Sequence, residues 1–179
     1  IINTYIIMDA NEIKKIRIDK LNHLVAKGVN PYGGAYECSH QIITILDNFQ
    51  EETEVAVAGR VLANRSHGKV IFLDLKDQTG KIQLFIKSDN VGETTFALVH
   101  DLDIGDIIGV KGTLFKTRTG EKSIRVKDVN VLSKSLMSLP EKWHGLKDVE
   151  IRYRQRYVDL IVNDQVREVF IRRSRIVSH

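Results

Sequence analysis

Arg65, Phe72, Gln83 and Glu121 are side chains whose types could together do chemistry, and that chemistry is the recognition of an unpaired nucleic-acid base. An outward aromatic ring is a platform on which a base can lie, worth about 1–3 kcal/mol per base and tolerant of which base it is. Choosing a base needs directed polar groups. Arg65 and Gln83 can donate to ring carbonyls, and Glu121 can accept from a ring or exocyclic N–H. Uracil, with two carbonyls flanking one N–H, matches two donors and one acceptor. A cytosine amino group would also satisfy the glutamate, so the set prefers pyrimidines without naming one. Lys69, Lys116, Arg118 and Lys122 are the cations placed to meet phosphates, and Phe85 flanks the stacking ring. Taken singly, each residue has a plain reading: a covered ring for Phe72, a solvated turn acid for Glu121, solubility for the lysines. Their coincidence on one stretch of chain favours a site.

The elements that must position these residues are legible in the alternation of side chains. In KVIFLDLKDQTGKIQLFIK (69–87), Ile71, Leu73 and Leu75 share one face of a strand, which puts Phe72 with Asp74 and Lys76 on the face expected to be wet. The return strand sends Ile82, Leu84 and Ile86 inward and leaves Gln83 and Phe85 outside with Lys81 and Lys87. Strands are expected near 54–63, 69–76, 81–87, 107–115 and 123–132, with a helix at 94–102 between the third and fourth. Five short strands around one helix suggest an all-β Greek-key barrel of the oligonucleotide-binding type, the OB-fold; an open sheet with one helix is the alternative. In that barrel, ligand lies on the outer face of strands 2 and 3 and against the loops joining strands 1–2 and 4–5. Those loops are expected at NRSHG (64–68) and KTRTGEKS (116–123).

Around the barrel the chain divides at its two prolines, Pro31 and Pro140. Residues 1–53 are read as an N-terminal helix and an irregular lead-in. The helix spans 10–27, with a capping-box-like start at Asp9 and Glu12 and a stripe of Ile13, Ile16, Leu21, Leu24 and Val25. Residues 54–133 are the barrel, 134–150 a connector, and 151–179 the beginning of a further domain. The net charge of +4 and isoelectric point near 9.1 lean weakly towards an anionic partner. The excess is concentrated at 111–127. No run of about 18 apolar residues and no leader pattern occurs, so neither a membrane span nor secretion is indicated. The single cysteine, Cys38, fits a reducing compartment, most simply the cytoplasm. No metal-ligand spacing and no nucleophile–base pair is present, so no catalytic or metal residue is assigned.

The segments GTLFKTRTGEKSIRV (112–126), LPEKWHGLKDVEIRYRQRYVDLIVN (139–163) and RSRIVS (173–178) closely resemble class II lysyl-tRNA synthetases, and AKGVNPY and AGRV agree. The resemblance implies an N-terminal, anticodon-binding part of such an enzyme. Phe72 would stack on a U of the UUU/CUU anticodon of tRNA(Lys), with Arg65, Gln83 and Glu121 reading the base edge. It also implies an α+β catalytic domain beginning in 151–179, a homodimer built partly by the helix after 164, and ATP and Mg2+ for the full-length enzyme, the last two placed on no residue here. The stripe Val166, Val169, Phe170, Ile176 and Val177 resembles that dimer helix. Arg152, Arg154 and Arg156, if extended, would share one face suited to packing or to the tRNA backbone. The start also looks ragged, with seven residues preceding Met8. A stand-alone RNA-binding barrel and a fragment of an aspartyl or asparaginyl enzyme are the other readings.

Overall fold

The computed structural model describes residues 10–140 and 148–178. Asp9, the residues before Met8, most of KWHGLKD with His144, and His179 lie outside the described residues. The chain forms two compact units, 1–138 and 139–179.

In the first unit the elements are α1 (Ala10–Ala26), α2 (Ile42–Asp47), β1 (Glu54–His67), β2 (Val70–Lys76), β3 (Lys81–Lys87), α3 (Ser88–His100), β4 (Ile107–Lys116) and β5 (Lys122–Ser133). The strands close into a barrel in the order β1-β2-β3-β5-β4. All pairs are antiparallel except β3 and β5, whose parallel contact closes the barrel through Gln83↔Ser123, Leu84↔Ile124 and Phe85↔Arg125. Alternate residues fill the interior: Val55, Val57 and Val61 from β1, Ile71, Leu73 and Leu75 from β2, Ile82, Leu84 and Ile86 from β3. Each buried aliphatic side chain contributes about 1.5–3 kcal/mol. Ile42 and Ile45 of α2, Val99 of α3 and Leu102 just beyond that helix join the same core.

Four local features depart from the sequence expectation. NRSHG is not a loop. It extends β1, paired through Asn64↔Leu73, Arg65↔Phe72, Ser66↔Ile71 and His67↔Val70, and the reversal is confined to Gly68 and Lys69, with Gly68 at φ +59° supplying a positive first turn position. The helix α3 begins at Ser88 rather than 94, because two helical pieces meet at Gly92 (φ 79°, ψ 161°). The lead-in contains α2, which is too short to show a helical period. Its first amides are capped from a distant turn: Ile42 N–H donates to Asp77 Oδ2 (2.9 Å) and Ile43 N–H to Thr79 Oγ1 (3.1 Å). The α1 stripe is only partly covered: Leu24 is buried, while Ile16 and Val25 are exposed. Polar clamps hold α1 instead. Arg17 donates to the carbonyls of Ser135 (3.0 Å) and Met137 (2.9 Å), and Lys20 pairs with Asp103 (2.7 Å). Beneath them the fully buried Lys134 ammonium binds Asp103 and Asp106.

The second unit contains α4 (Val149–Arg154), α5 (Arg156–Val162) and α6 (Asp164–Val177). Asp148 caps α4, accepting from Glu150 N (2.8 Å) and Ile151 N (3.2 Å). The RYRQR stretch is helical, with a break at Gln155, so the three arginines do not form one extended face. Arg152 and Arg156 converge on buried Asp159, whereas Arg154 reaches Glu150 at 3.5 Å. On α6, Phe170 lies under the Arg156 guanidinium (5.2 Å), while Val169, Ile176 and Val177 are exposed.

Candidate nucleic-acid interface

Two rows of side chains cross the outer surface of the barrel. In one, Arg65 stands opposite Phe72, Phe72 opposite Phe85, and Phe85 opposite Arg125. In the other, Asp74 stands opposite Gln83, Gln83 opposite Ser123, and Ser123 opposite Phe115. Directly opposed residues share a face, so both rows belong to one surface.

Arg65 reaches that surface through an irregularity. On β1 the inward residues are Val55, Val57 and Val61, and simple alternation would turn Arg65 inward as well. The pairing shifts between Val61↔Leu75 and Ala63↔Asp74, leaving Leu62 as an extra residue in a bulge. Beyond it the outward positions are the odd ones, and Arg65 meets Phe72.

The aromatic residues form a ladder. Phe72 and Phe85 lie 5.4 Å apart, tilted by 56°, and Phe85 and Phe115 lie 5.5 Å apart, edge to face. The Arg125 guanidinium sits 4.8 Å from the Phe115 centroid. All three rings are half-buried, which leaves Phe72 with an open side and with neighbours that fix its plane. Phe115 is absent from the sequence reading, and Arg125 enters it only as part of the basic excess at 111–127, not as a site residue. The available signal is the pair Leu114–Phe115, where an apolar residue continues past the inward position.

Asp74 also departs from the sequence expectation. On a face expected to be wet it is only 8% exposed. Arg65 donates from Nη2 to its Oδ1 at 2.7 Å and Lys81 from Nζ to its Oδ2 at 3.2 Å. Burial pushes this carboxyl up, but the hydrogen bonds and charges of Arg65 and Lys81 outweigh burial and hold it below its ordinary value of 3.8. Arg65 therefore has one edge committed to Asp74 before any ligand arrives.

Gln83 Nε2 donates to Ser123 Oγ (3.2 Å), and that hydroxyl donates to the Glu121 carbonyl (3.3 Å). The chain of bonds links the strand face to the β4–β5 turn and leaves the Gln83 carbonyl and one amide hydrogen for a ligand. The turn is short. Thr117 N–H donates to the Glu121 carbonyl (3.0 Å), and Glu121 N–H donates to Thr117 Oγ1 (3.0 Å). Gly120, at φ +84°, reverses the chain in a region where a side chain would be strained. The Glu121 side chain is exposed on this turn.

The four cations read as phosphate contacts fall into two kinds. Lys69, at the β1–β2 turn, and Arg118, on the β4–β5 turn, are exposed. Lys116 and Lys122 both lie over the Phe49 ring, at 5.8 and 5.4 Å, and Lys122 also donates to the Leu46 carbonyl. Their positive charge remains at the turn, but Lys122 is partly occupied in holding the end of α2 and the Phe49 ring beyond it. A groove of about 400 Å³ lined by Ser39, Glu54, Val55, Ala56, Lys111, Gly112, Lys127 and Asp128 includes none of the face residues. The described residues contain no group of three or more His, Cys, Asp or Glu able to hold a metal, and no helix among them is long and apolar enough to cross a membrane.

This geometry offers a flat ring, a guanidinium held in one direction, an amide and a carboxylate, rimmed by cations: the equipment for reading a single-stranded base. Comparison with known proteins bears on the domain type and the family. Residues 55–132 match the family described as an OB-fold nucleic acid binding domain. The chain is 53% identical over 169 residues to the lysine–tRNA ligase of Moorella thermoacetica, covering 93% of this chain and 35% of the relative. It is 52% identical over 172 residues to that of Carboxydothermus hydrogenoformans, covering 95% and 35%. For the Clostridium botulinum enzyme the figures are 50% over 172 residues, 94% and 34%. The chain thus spans about a third of the length of the curated relatives it matches.

Proposed function

From the premise that this chain is homologous to the lysine–tRNA ligases, aligned with about a third of their length, we propose that it is the part of such a ligase that reads the anticodon of tRNA(Lys). The observation that carries the reading is the Arg65–Phe72–Phe85 row with Gln83 beside it, on the strands where an OB barrel holds its ligand. A base of the UUU/CUU anticodon stacks on Phe72 and contributes most of the local affinity. Arg65 donates to a ring carbonyl, Gln83 uses its free amide hydrogen and carbonyl, and Glu121 accepts an N–H. Lys69, Lys116 and Arg118 meet the flanking phosphates, while Lys122 adds charge at shorter range.

The ligase reaction itself, in which lysine is activated with ATP and joined to tRNA, belongs in this proposal to residues outside this sequence. Charge on the reacting phosphates of ATP is stabilised by positioned cations and metal. In this proposal ATP and Mg2+ are assigned to the full-length enzyme, and no step is derived through them. The helices of 151–179 are read as the start of its class II catalytic domain. The exposed Val169, Ile176 and Val177 of α6 support a homodimer of the full-length protein, and the single cysteine favours the cytoplasm as its compartment. The lysine-specific relatives favour this reading over a stand-alone RNA-binding barrel.

The test is binding of the 179-residue chain to anticodon stem-loops together with lysine-dependent ATP–pyrophosphate exchange. A UUU loop bound more tightly than GGG, with no exchange, is the expected outcome. Equal binding of both loops would reduce the site to a nonspecific basic barrel, and measurable exchange would overturn the division of labour.

A further inference from the structure

Resting on the reading of this face as a base-recognition site, we infer that Asp74 is a positioning residue that makes Arg65 a base reader rather than a phosphate binder. The starting observation is a carboxylate that solvent alone does not explain. It lies on the outward row of β2, yet is only 8% exposed. Burying a charge there is unfavourable unless it is paired, and its partners come from the strands on either side: Arg65 from β1 at 2.7 Å and Lys81 from β3 at 3.2 Å. The Arg65 side chain itself is 46% exposed. An exposed arginine beside single-stranded RNA has a nearer and stronger partner than a base, namely the phosphate backbone. With Nη2 fixed on Asp74 Oδ1, the planar guanidinium can present only its remaining N–H groups, and in one plane.

Asp74 stands opposite Gln83 and one outward step from Phe72, so that plane is set beside the stacking ring. A donor held there fits a carbonyl at ring position 4, as in uracil, and opposes the amino group that cytosine carries at the same position. Asp74 also offsets the charge of Lys81, which would otherwise face Arg65 across β2.

A structural tie between three strands and a positioning role predict different results. The experiment measures binding of the 179-residue chain to a stem-loop carrying UUU and to the same loop with a central C, across a range of salt. Wild type should prefer UUU. Asp74→Asn should cut that preference about tenfold, the scale of one charged hydrogen bond. It should also steepen the log–log salt slope by about 0.7, because the freed Arg65 takes a phosphate. Arg65→Lys, at an exposed position, should lose the same preference, and adding Asp74→Asn to it should change the preference no further. If Asp74→Asn keeps the preference, or weakens both loops equally, the inference is overturned. Should Asp74→Asn fail to fold, Arg65→Lys decides: retained preference overturns the inference, and lost preference supports it. A wild-type chain that does not distinguish the loops overturns the site reading first and the inference with it, and that arm is read before any variant.

Discussion

Phe72 has two neighbours to lose and one ligand to lose, and the two losses are measured separately. Removing its ring contact with Phe85 should cost the fold about 0.5–1.5 kcal/mol, the contribution of such a pair beyond burial. Removing the platform should cost about 1–3 kcal/mol of stem-loop binding. Phe72→Ala is therefore expected to leave the thermal melt nearly in place while the binding titration shifts by one to two decades. A melt that collapses instead would make Phe72 a core residue. The ring could be read from the sequence because its neighbours in the chain, Ile71 and Leu73, fix the inward face. Asp74 could not, because the two cations that permit its burial stand on other strands. Acid exposes the same class of residue. Asp74, Asp77 and Asp103 are each pushed up by burial and pulled lower still by their hydrogen bonds, ending below the ordinary 3.8. A carboxyl depressed in the fold stabilises above its unfolded value and loses that contribution as pH falls through its folded value. Chemical denaturation should thus show a plateau above about pH 5 and a decline below about pH 4.

Between residue and barrel, the bulge at Leu62 decides which side chains β1 presents. Val61, Leu62 and Ala63 are three apolar residues in a row within an alternating strand, and that run is the signal a reader of the sequence could have used. It was obscured because NRSHG has the composition of a loop, while its pairing with β2 is a property of register. Deleting Leu62 should remove the extra residue, keep Arg65 opposite Phe72 and preserve base preference. One residue inserted after Ala63 should turn Arg65 to the Leu73 side and abolish preference; competition binding with the two loops reads both. The helix α2 was illegible for a related reason. Its caps, Asp77 and Thr79, come from the β2–β3 turn, and Asp77 Oδ1 also accepts from Thr79 N (2.6 Å) and Gly80 N (2.8 Å). Asp77→Ala strips one turn and one helix start together and should destabilise by about 1–3 kcal/mol in equilibrium unfolding. The expected strands β2 and β3 match in both position and facing, because the inward Ile and Leu residues of each define a period that no distant contact overrides.

For the molecule as a whole, attraction to RNA should come from a rim rather than from net charge. With Lys122 engaged at Leu46, the cations left to meet phosphate are the exposed Lys69 and Arg118 and, beside Phe49, Lys116, and binding should weaken with salt at a log–log slope of about 0.7 per phosphate met. Replacing Lys116 and Arg118 together should flatten that slope and leave the UUU preference unchanged; a salt-independent affinity would remove the electrostatic contribution. The barrel's closure has a different kind of consequence. β3 and β5 are joined by only three paired positions, and Gln83 and Phe85, both on the proposed ligand face, are two of them. When that seam opens, the barrel becomes an open sheet with two bare strand edges, and bare edges recruit strands from other molecules. An RNA bound at the proposed site would lie across the seam and hold it shut. Concentrated, RNA-free protein should therefore cluster on storage through β3 and β5, and a short uridine-rich oligonucleotide should act as its preservative.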